Sequence, residues 1–274
     1  MNVYYAGIFA NLGVNILGAL SVYVIIKSGQ ISVGNAGFMA VGAYTAAILS
    51  SVYGATIPAA VLCGGVMAGI AGVLVGVPVL RLRGTYLVIA TISFTAMIRS
   101  LAQIMTITGG AQGFRGIQKI SIGCIFAFTV LVIVLLYLFE RTRMGLSVCA
   151  VAAQEAAAGA AGVHVKAVKI SAFAAGACIA GISGGCYAHW AQYIEPSDFS
   201  TMVSTMMVLP VILGGRHRIM GAVIGAMIFT LLPELLRFAY TWRMVIYGCI
   251  VIVTVIMRPD GLIGTRRHIA PKEK

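Results

Sequence analysis

The feature that most constrains this chain is a succession of apolar runs, each about 20 residues long, separated by short segments that contain Gly, Pro or charge. A bilayer core about 30 Å thick is crossed by about 20 helical residues, since each residue rises about 1.5 Å. The sequence is 60% hydrophobic and 9% charged, and its mean hydropathy is +1.01. These values exclude a water-soluble domain and predict an all-α integral membrane protein, a polytopic helix bundle.

The apolar windows predict about nine transmembrane helices, within a range of eight to ten. The windows cover residues 6–26, 31–50, 57–80, 85–105, 121–139, 168–189, 200–214, 219–236 and 242–257. Their apolar residues are continuous rather than alternating, which argues against the strands of a transmembrane barrel. The first window has neither a basic segment before it nor a convincing cleavage site after it, so we expect a retained helix rather than a signal peptide.

Basic residues are distributed unevenly among the predicted loops. With the N-terminus outside, the inner loops carry Lys27, Arg81, Arg83, Arg141, Arg143, Lys166, Lys169, Arg216, Arg218, Arg258, Arg266, Arg267, Lys272 and Lys274, and the outer loops carry only Arg115, Lys119, Arg237 and Arg243. The positive-inside rule therefore predicts an outside N-terminus and a cytoplasmic C-terminus. The net charge of +12 is interpreted as this topology signal, because the basic residues are scattered rather than clustered as on a nucleic-acid-binding surface.

Small residues recur four positions apart in several windows, as in helices that pack backbone to backbone in lipid. These pairs are Gly65 with Gly69, Gly72 with Gly76, Gly181 with Gly185, and Gly221 with Gly225. The six cysteines lie singly in apolar runs, without a CxxC motif or a nearby ligand-spaced histidine. We interpret them as small buried hydrophobic residues and predict no metal site.

The longest polar interruption runs from Glu140 to Lys169, and its alanine-rich middle favours a helix without the bulk of a transmembrane span. We predict a short cytoplasmic helix at about residues 148–165. The residues alone leave open an ordinary amphipathic loop helix, a helix on the membrane surface, or one that enters a groove of a partner.

No phosphate-binding GxxxxGK[ST] loop occurs in the sequence, and no nucleophile with a base or metal cluster is evident. We therefore predict no catalytic residue, no metal and no cofactor in this chain, and expect ATP and Mg²⁺ to be bound by another subunit. The glycine-rich segment around Arg115 lacks the strand and acidic partner of a dinucleotide-binding fingerprint.

Polar side chains within the spans are candidates for lining a solute path, since polar groups in a bilayer are costly. The candidates are Gln30, Ser32, Asn35, Tyr44, Thr45, Thr91, Ser93 and Arg99. Helix packing explains many of them equally well, and Arg99 also fits snorkelling to the membrane surface. His189 and Trp190 end the sixth window, where we expect interface anchoring rather than ligand binding.

Three segments together resemble the Liv-type branched-chain amino acid permeases of the ABC transporter superfamily, closest to the LivM branch. The first is GQISVGNAGFMAVGAYTAAI, and the second is RLRGTYLVIATISFTAMIR followed by TGGAQGFRGI. The third runs from RTRMGLSVCAVAAQEAAAGAAGVHV through AGISGGCYAHWAQYIEPSDFS, VILGG and LLPELLR to RPDGLIG. The resemblance covers nearly the full length and implies one permease domain over residues 1–274.

The resemblance also implies an alternating-access importer in a bacterial or archaeal inner membrane, with separate ATPase subunits, a solute-binding protein and a second permease subunit, different or identical. It identifies residues 148–165 as the coupling helix, in which Glu155, Ala156, Ala157 and Gly162 match the Glu-Ala-Ala…Gly pattern presented to the ATPase. The outer loops around Arg115 and Glu195 are expected to receive the binding protein.

The sequence departs from the family where relatives often carry His, Glu and Glu, since Asn35, Ala96 and Met206 stand there. Branched-chain amino acids are the expected substrate, and urea, short amides and aromatic acids are the alternatives. A secondary transporter or channel is the rival class. Ion coupling usually requires carboxylates within spans, whereas the seven acids here fall in loops or at span ends.

Overall fold

The computed structural model describes residues 3–82, 84–215 and 218–236, together with residues 248, 252 and 261. The helices in these ranges are α1 (Val3–Lys27), α2 (Asn35–Ser51), α3 (Ile57–Val79), α4 (Thr85–Ile104), α5 (Ile122–Glu140), α6 (Arg143–Ala153), α7 (Glu155–Ala160), α8 (Val165–Ala191), α9 (Thr201–Gly214) and α10 (Ile219–Leu235). Two-residue strands, β1 (Phe114–Arg115) and β2 (Tyr193–Ile194), pair antiparallel. Short 3-10 turns cover Thr106–Thr108, Gly110–Gln112 and Pro196–Phe199.

Within the described residues, five helices are long and apolar enough to cross a bilayer: α1, α3, α4, α5 and α8. Helices α9 and α10 are bent against each other by 119°, so windows 200–214 and 219–236 form one bent pair rather than two full spans. Helix α2 has only 17 residues. The window at 242–257 lies largely outside the described residues. The predicted all-α polytopic class is confirmed.

Helix α8 is the centre of the bundle and packs against α1, α2 and α3. Its glycines allow backbone contact: a Cβ on Gly184 would overlap the carbonyl oxygen of Met39 in α2, and a Cβ on Gly181 would overlap the side chain of Ala68 in α3. Gly65 faces the same helix from α3. These contacts confirm the predicted packing role of the small-residue pairs, since close van der Waals packing is one source of helix association in lipid.

The loops separate onto two ends of the bundle. At one end, called the basic end, Lys27 forms an ion pair with Glu140, which joins the last turns of α1 and α5. At the other, called the ribbon end, β1 pairs with β2, and the Ser51 hydroxyl donates to the Gly116 carbonyl over 3.3 Å. This grouping agrees with the predicted alternation of the loops. That the basic end faces the cytoplasm stays a prediction from the charge distribution.

The second predicted span begins later than the apolar window indicates. Gly29 has a left-handed φ of 79°, residues 28–34 are not helical, and α2 starts at Asn35. Gln30 and Ser32 therefore lie in a buried loop at the basic end, and their placement within a helix is wrong. The Gln30 amide nitrogen donates to the Lys169 carbonyl over 3.2 Å, which holds this loop against α8.

The alanine-rich segment forms two helices rather than the single helix predicted at 148–165. Gln154 has extended backbone angles, φ −159° and ψ 108°, and separates α6 from α7. The break lets both short helices bury small apolar side chains against the bundle, Val148 and Val151 from α6 and Ala158 from α7. Gly162, with φ 84°, follows the end of α7.

The prediction that His189 anchors the chain at the membrane interface is wrong. Its side chain is fully buried, its Nδ1 donates to the Gly185 carbonyl over 2.8 Å, and its Nε2 lies 3.0 Å from the Ser50 hydroxyl. His189 therefore links α8 to α2. Trp190 is half-buried at the ribbon end, with the Lys119 ammonium 5.5 Å from its ring centre.

The described cysteines are free thiols, and their predicted burial is only partly correct. Cys186 is buried, Cys124 and Cys178 are half-buried, and Cys63 and Cys149 are exposed.

The α2–α8 contact predicts a large effect of a single methyl group. Gly184→Ala should lower the free energy of unfolding by about 1–3 kcal/mol, because overpacking forces backbone shifts. Gly7→Ala is the matched control in α1, where a Cβ would meet no atom within 4 Å. Thermal unfolding in detergent measures both. Equal melting temperatures for the two variants would contradict the proposed central contact.

Candidate functional site

A cavity of about 440 Å³ opens between α1, α9 and α10 and reaches α2 and α8. Its polar lining combines two amides, two hydroxyls and two carboxylates, from Asn11, Asn15, Thr230, Tyr187, Asp198 and Glu234. The apolar lining includes Met39, Val203, Met206, Met207 and Pro210. A small solute with both polar and apolar groups fits this mixture, because binding sites in proteins are mainly apolar with a few placed polar groups.

Hydrogen bonds connect the two helices that form the cavity walls. The Asn15 amide nitrogen in α1 donates to the Thr230 hydroxyl in α10 over 3.0 Å. The Thr230 hydroxyl donates in turn to the Ala226 carbonyl over 2.8 Å. The Thr230 hydroxyl therefore donates a hydrogen bond within α10 and accepts one from α1. Movement of α10 away from α1 would break this link.

Asp198 lies where the cavity approaches the ribbon end. It belongs to the 3-10 turn before α9, and its side chain accepts a hydrogen bond from the Glu195 N–H over 3.1 Å. Burial raises the pKa of Asp198, the Glu195 N–H opposes this rise, and the nearby Glu195 charge adds to it. A bound cation would favour the ionised carboxylate and lower this pKa.

Three buried polar atoms among the described side chains lack a hydrogen-bond partner: Gln30 Oε1, Asn35 Oδ1 and Tyr44 OH. All three belong to residues predicted to line the solute path. An unsatisfied buried polar group costs about 1–3 kcal/mol, so such groups need a reason to persist. Asn35 and Tyr44 lie on α2 on either side of Met39, which reaches the cavity.

The remaining predicted path residues occupy other surroundings. The Thr91 hydroxyl accepts from the Val33 N–H over 3.2 Å and donates to the Val88 carbonyl, so it supports the loop before α2. Thr45 lines a separate, mostly apolar depression between α2 and α3. Ser93 and Arg99 are exposed on the outer face of α4. None of the eight predicted path residues lines the cavity in the described part of the chain.

The polar residues of the cavity were not among the predicted path residues. Asn11 and Asn15 lie in an apolar window without a motif, Asp198 was placed in an outer loop, and Glu234 was placed at a span end. Both placements are correct, since Asp198 lies in the turn before α9 and Glu234 in the last turn of α10, but the fold brings both carboxylates to one cavity. The available signal was a pair of asparagines four positions apart, which share one face of a helix.

The residues predicted for coupling lie together at the surface of the basic end. Glu155, Ala156, Ala157 and Gly162 are exposed, while Ala158 between them is buried. A Cβ on Gly162 would meet no atom within 4 Å. The Glu155 carboxylate contacts the Lys169 ammonium, so α7 is connected to the first turns of α8.

The two outer loops form one surface at the ribbon end. Arg115 pairs with Tyr193 in the β1–β2 ribbon, and its guanidinium lies 5.2 Å from the centre of the Tyr193 ring. The Tyr193 hydroxyl also donates to the Gln112 carbonyl over 3.0 Å. The glycine-rich loop and the acidic loop around Glu195 are therefore one structural unit.

The cavity predicts a difference in thiol labelling inside the bundle. In a variant whose six native cysteines are replaced by alanine, Asn15→Cys should react with a small water-soluble thiol reagent about ten times faster than Ser183→Cys, since access controls thiol reactivity. Ser183 is the matched control because it is fully buried and its hydroxyl donates to the Val14 carbonyl. Equal rates would exclude a water-accessible cavity.

Comparison with known proteins agrees with this architecture. The family model described as the permease component of branched-chain amino acid transport systems matches residues 4–255. The high-affinity branched-chain amino acid permease LivM of Escherichia coli is 30% identical, over 95% of this chain and 68% of LivM, and LivM of Salmonella typhimurium is 29% identical over the same shares. The ribose import permease RbsC of Haemophilus influenzae is 24% identical, over 77% of this chain and 69% of RbsC.

No solved structure shows a significant match. The family model nevertheless covers most of the chain, and the apolar helices are those of a multi-pass inner-membrane protein. The chain therefore belongs to the permease family of branched-chain amino acid transport systems and is a transport permease.

Proposed function

We propose that this chain is the membrane subunit of an ATP-driven importer and that it translocates branched-chain amino acids by alternating access. The observation that carries this proposal is the similarity to LivM along 95% of the chain. The cavity between α1, α9 and α10 is the proposed substrate site. The orphaned polar atoms of Asn35, at the start of α2, and Gln30, in the loop before it, extend the proposed path toward the basic end.

The chemistry of the cavity supports an amino-acid substrate. Asp198 and Glu234 offer negative charge to an ammonium group, and the asparagine amides offer donors to a carboxylate. Met206 and Met207 provide adaptable apolar contacts for a branched side chain. Urea, short amides and aromatic acids remain alternatives, but urea and short amides carry no ammonium and do not need two carboxylates.

ATP hydrolysis is proposed to occur in separate subunits, which also bind Mg²⁺. The sequence has no phosphate-binding GxxxxGK[ST] loop, so we propose that this chain receives its energy through a protein contact. Glu155, Ala156, Ala157 and Gly162 form the proposed contact with the ATPase. Their small exposed side chains permit close approach, and the link from Glu155 to Lys169 connects α7 to α8.

The proposed transmission follows from the central position of α8. Helix α7 contacts α8 at the basic end, and α8 packs against α1, α2 and α3 along its length. A rigid displacement of α7 therefore moves helices on both sides of the cavity. In this view residues 1–274 act as one transmembrane domain.

The ribbon end is the proposed docking surface for an extracytoplasmic solute-binding protein. This assignment uses the charge-derived orientation, with the N-terminus outside and the C-terminus cytoplasmic. The paired loops around Arg115 and Glu195 provide both signs of charge on a rigid surface.

A second permease subunit, homologous or identical, is proposed to cover the outer face of α4. The exposed polar and small residues of α4 include Ser93, Ala96, Arg99, Ser100 and Gln103. An arginine in lipid costs about 2.5–3.5 kcal/mol on insertion scales, so contact with protein is favoured. Ser93 and Arg99 border the substrate path only if it continues along this interface.

Uptake in vesicles tests the proposed function and the cavity together. Vesicles that contain this chain, its ATPase, its companion permease and a binding protein should accumulate leucine only with ATP. Thr230→Val should reduce uptake about tenfold through loss of the hydrogen bond with Asn15, and Thr45→Val should change it less than about twofold. Both hydroxyls donate to the carbonyl four residues earlier, so the pair is matched. Gradient-driven uptake by the chain alone would contradict the importer assignment.

Charge reversal tests the coupling segment. Glu155→Arg should leave folding intact and abolish ATP-driven uptake, because it breaks the contact with Lys169 and alters the surface presented to the ATPase. The double variant Glu155→Arg with Lys169→Glu restores the intrachain pair in reverse. If Glu155 acts on the ATPase, the double variant stays inactive. Recovery of ATP-driven uptake would show that Glu155 serves the contact with Lys169 alone. Unchanged uptake in the single variant would show that Glu155 has no role in coupling.

A further inference from the structure

A second and larger cavity, of about 760 Å³, lies at the basic end between the last turn of α3, helix α7 and the first turns of α8. Its charged lining consists of Arg81, Lys166, Lys169 and Glu155. The single carboxylate is already paired, since Glu155 contacts Lys169. The side chains of Arg81 and Lys166 form no hydrogen bond or ion pair with any described residue. The cavity therefore has an excess of positive charge.

The other walls of this cavity are apolar. Val77 and Leu80 come from the end of α3, and Val165 and Ile170 come from the start of α8. A free phosphate or a nucleotide phosphate gains nothing from such walls. A molecule with an anionic group joined to hydrocarbon contacts both parts of the cavity.

The position of the cavity relative to the bilayer also favours a molecule with an anionic group joined to hydrocarbon. On α3, Ile70, Leu74 and Val77 are exposed at successive turns and form an apolar stripe that leads from the span to the cavity. Arg81 follows one turn after Val77, where a basic residue meets the level of lipid head groups. An acyl chain on this stripe places its phosphate beside Arg81.

We propose that this cavity binds the phosphate head group of an acidic phospholipid. Arg81 and Lys166 contact the phosphate, and Val77 and Leu80 contact the first carbons of an acyl chain. Basic pockets between transmembrane helices commonly bind acidic lipid head groups. The site does not depend on the identity of the transported solute or on the coupling role of α7.

Spin-labelled lipids in nanodiscs test this site directly. With the full chain in phosphatidylcholine discs, spin-labelled phosphatidylglycerol should be enriched at the protein relative to spin-labelled phosphatidylcholine. Two basic residues near the surface predict an enrichment of about thirtyfold. The double variant Arg81→Gln with Lys166→Gln should lower the lipid enrichment to about onefold, which means no preference for phosphatidylglycerol.

The matched control is Arg141→Gln with Arg143→Gln, which removes the same charge from the same end but outside the cavity. This control should keep most of the enrichment. Equal enrichment in the wild type and the cavity variant overturns the proposal, and equal loss in both variants assigns the effect to general surface charge. Displacement of the lipid by millimolar inorganic phosphate overturns the lipid assignment in favour of a small-anion site.

Folding is checked by gel filtration, and Arg81→Lys keeps the proposal testable if the double variant aggregates. This variant retains the charge and should retain most of the enrichment, whereas Arg81→Gln alone should lose a large part of it. Equal enrichment in these two single variants overturns the proposed contact.

Discussion

Backbone contact between α8 and its neighbours is the constraint on which the remaining structure depends. Gly181 and Gly184 bring α8 so close to α3 and α2 that a methyl group would overlap a neighbouring helix. Because hydrocarbon solvates leucine as well as protein does, close fits of this kind replace the hydrophobic effect as the source of helix association. The short helix α2 is held in the interior by this contact.

The position of α2 determines where polar groups are tolerated. The first turn of α2 is held by two hydrogen bonds to neighbouring helices. The Asn35 amide donates to the Ser21 hydroxyl over 2.8 Å, and the Ala36 N–H donates to the Ser204 hydroxyl over 2.9 Å. These bonds satisfy some of the polar groups at the start of α2, which would be costly in a bilayer without a hydrogen-bond partner. Among the described side chains, the buried atoms without a hydrogen-bond partner belong to Asn35 and Tyr44 on this helix and to Gln30 in the loop before it.

Both ends of the bundle are connected to α8. At the basic end, the Glu155–Lys169 contact joins α7 to its first turns, and the proposed lipid site occupies the adjoining cavity. At the ribbon end, β2 follows directly after α8 and pairs with β1. One rigid helix therefore connects the proposed ATPase contact, the cavity wall and the proposed docking surface. This arrangement suits a permease in which events at the two ends must be coordinated.

The sequence by itself determined the membrane class, most helix positions, the packing glycines and the family, because apolar length, small-residue spacing and motifs are local properties. Only the tertiary structure decided that α2 starts at Asn35, that Gln154 divides the predicted coupling helix and that His189 is buried. It also brought Asn15 to Thr230, 215 positions away, and Asp198 to the same cavity. Such contacts arise from the bend between α9 and α10 and from the fit around α8, which no local pattern encodes.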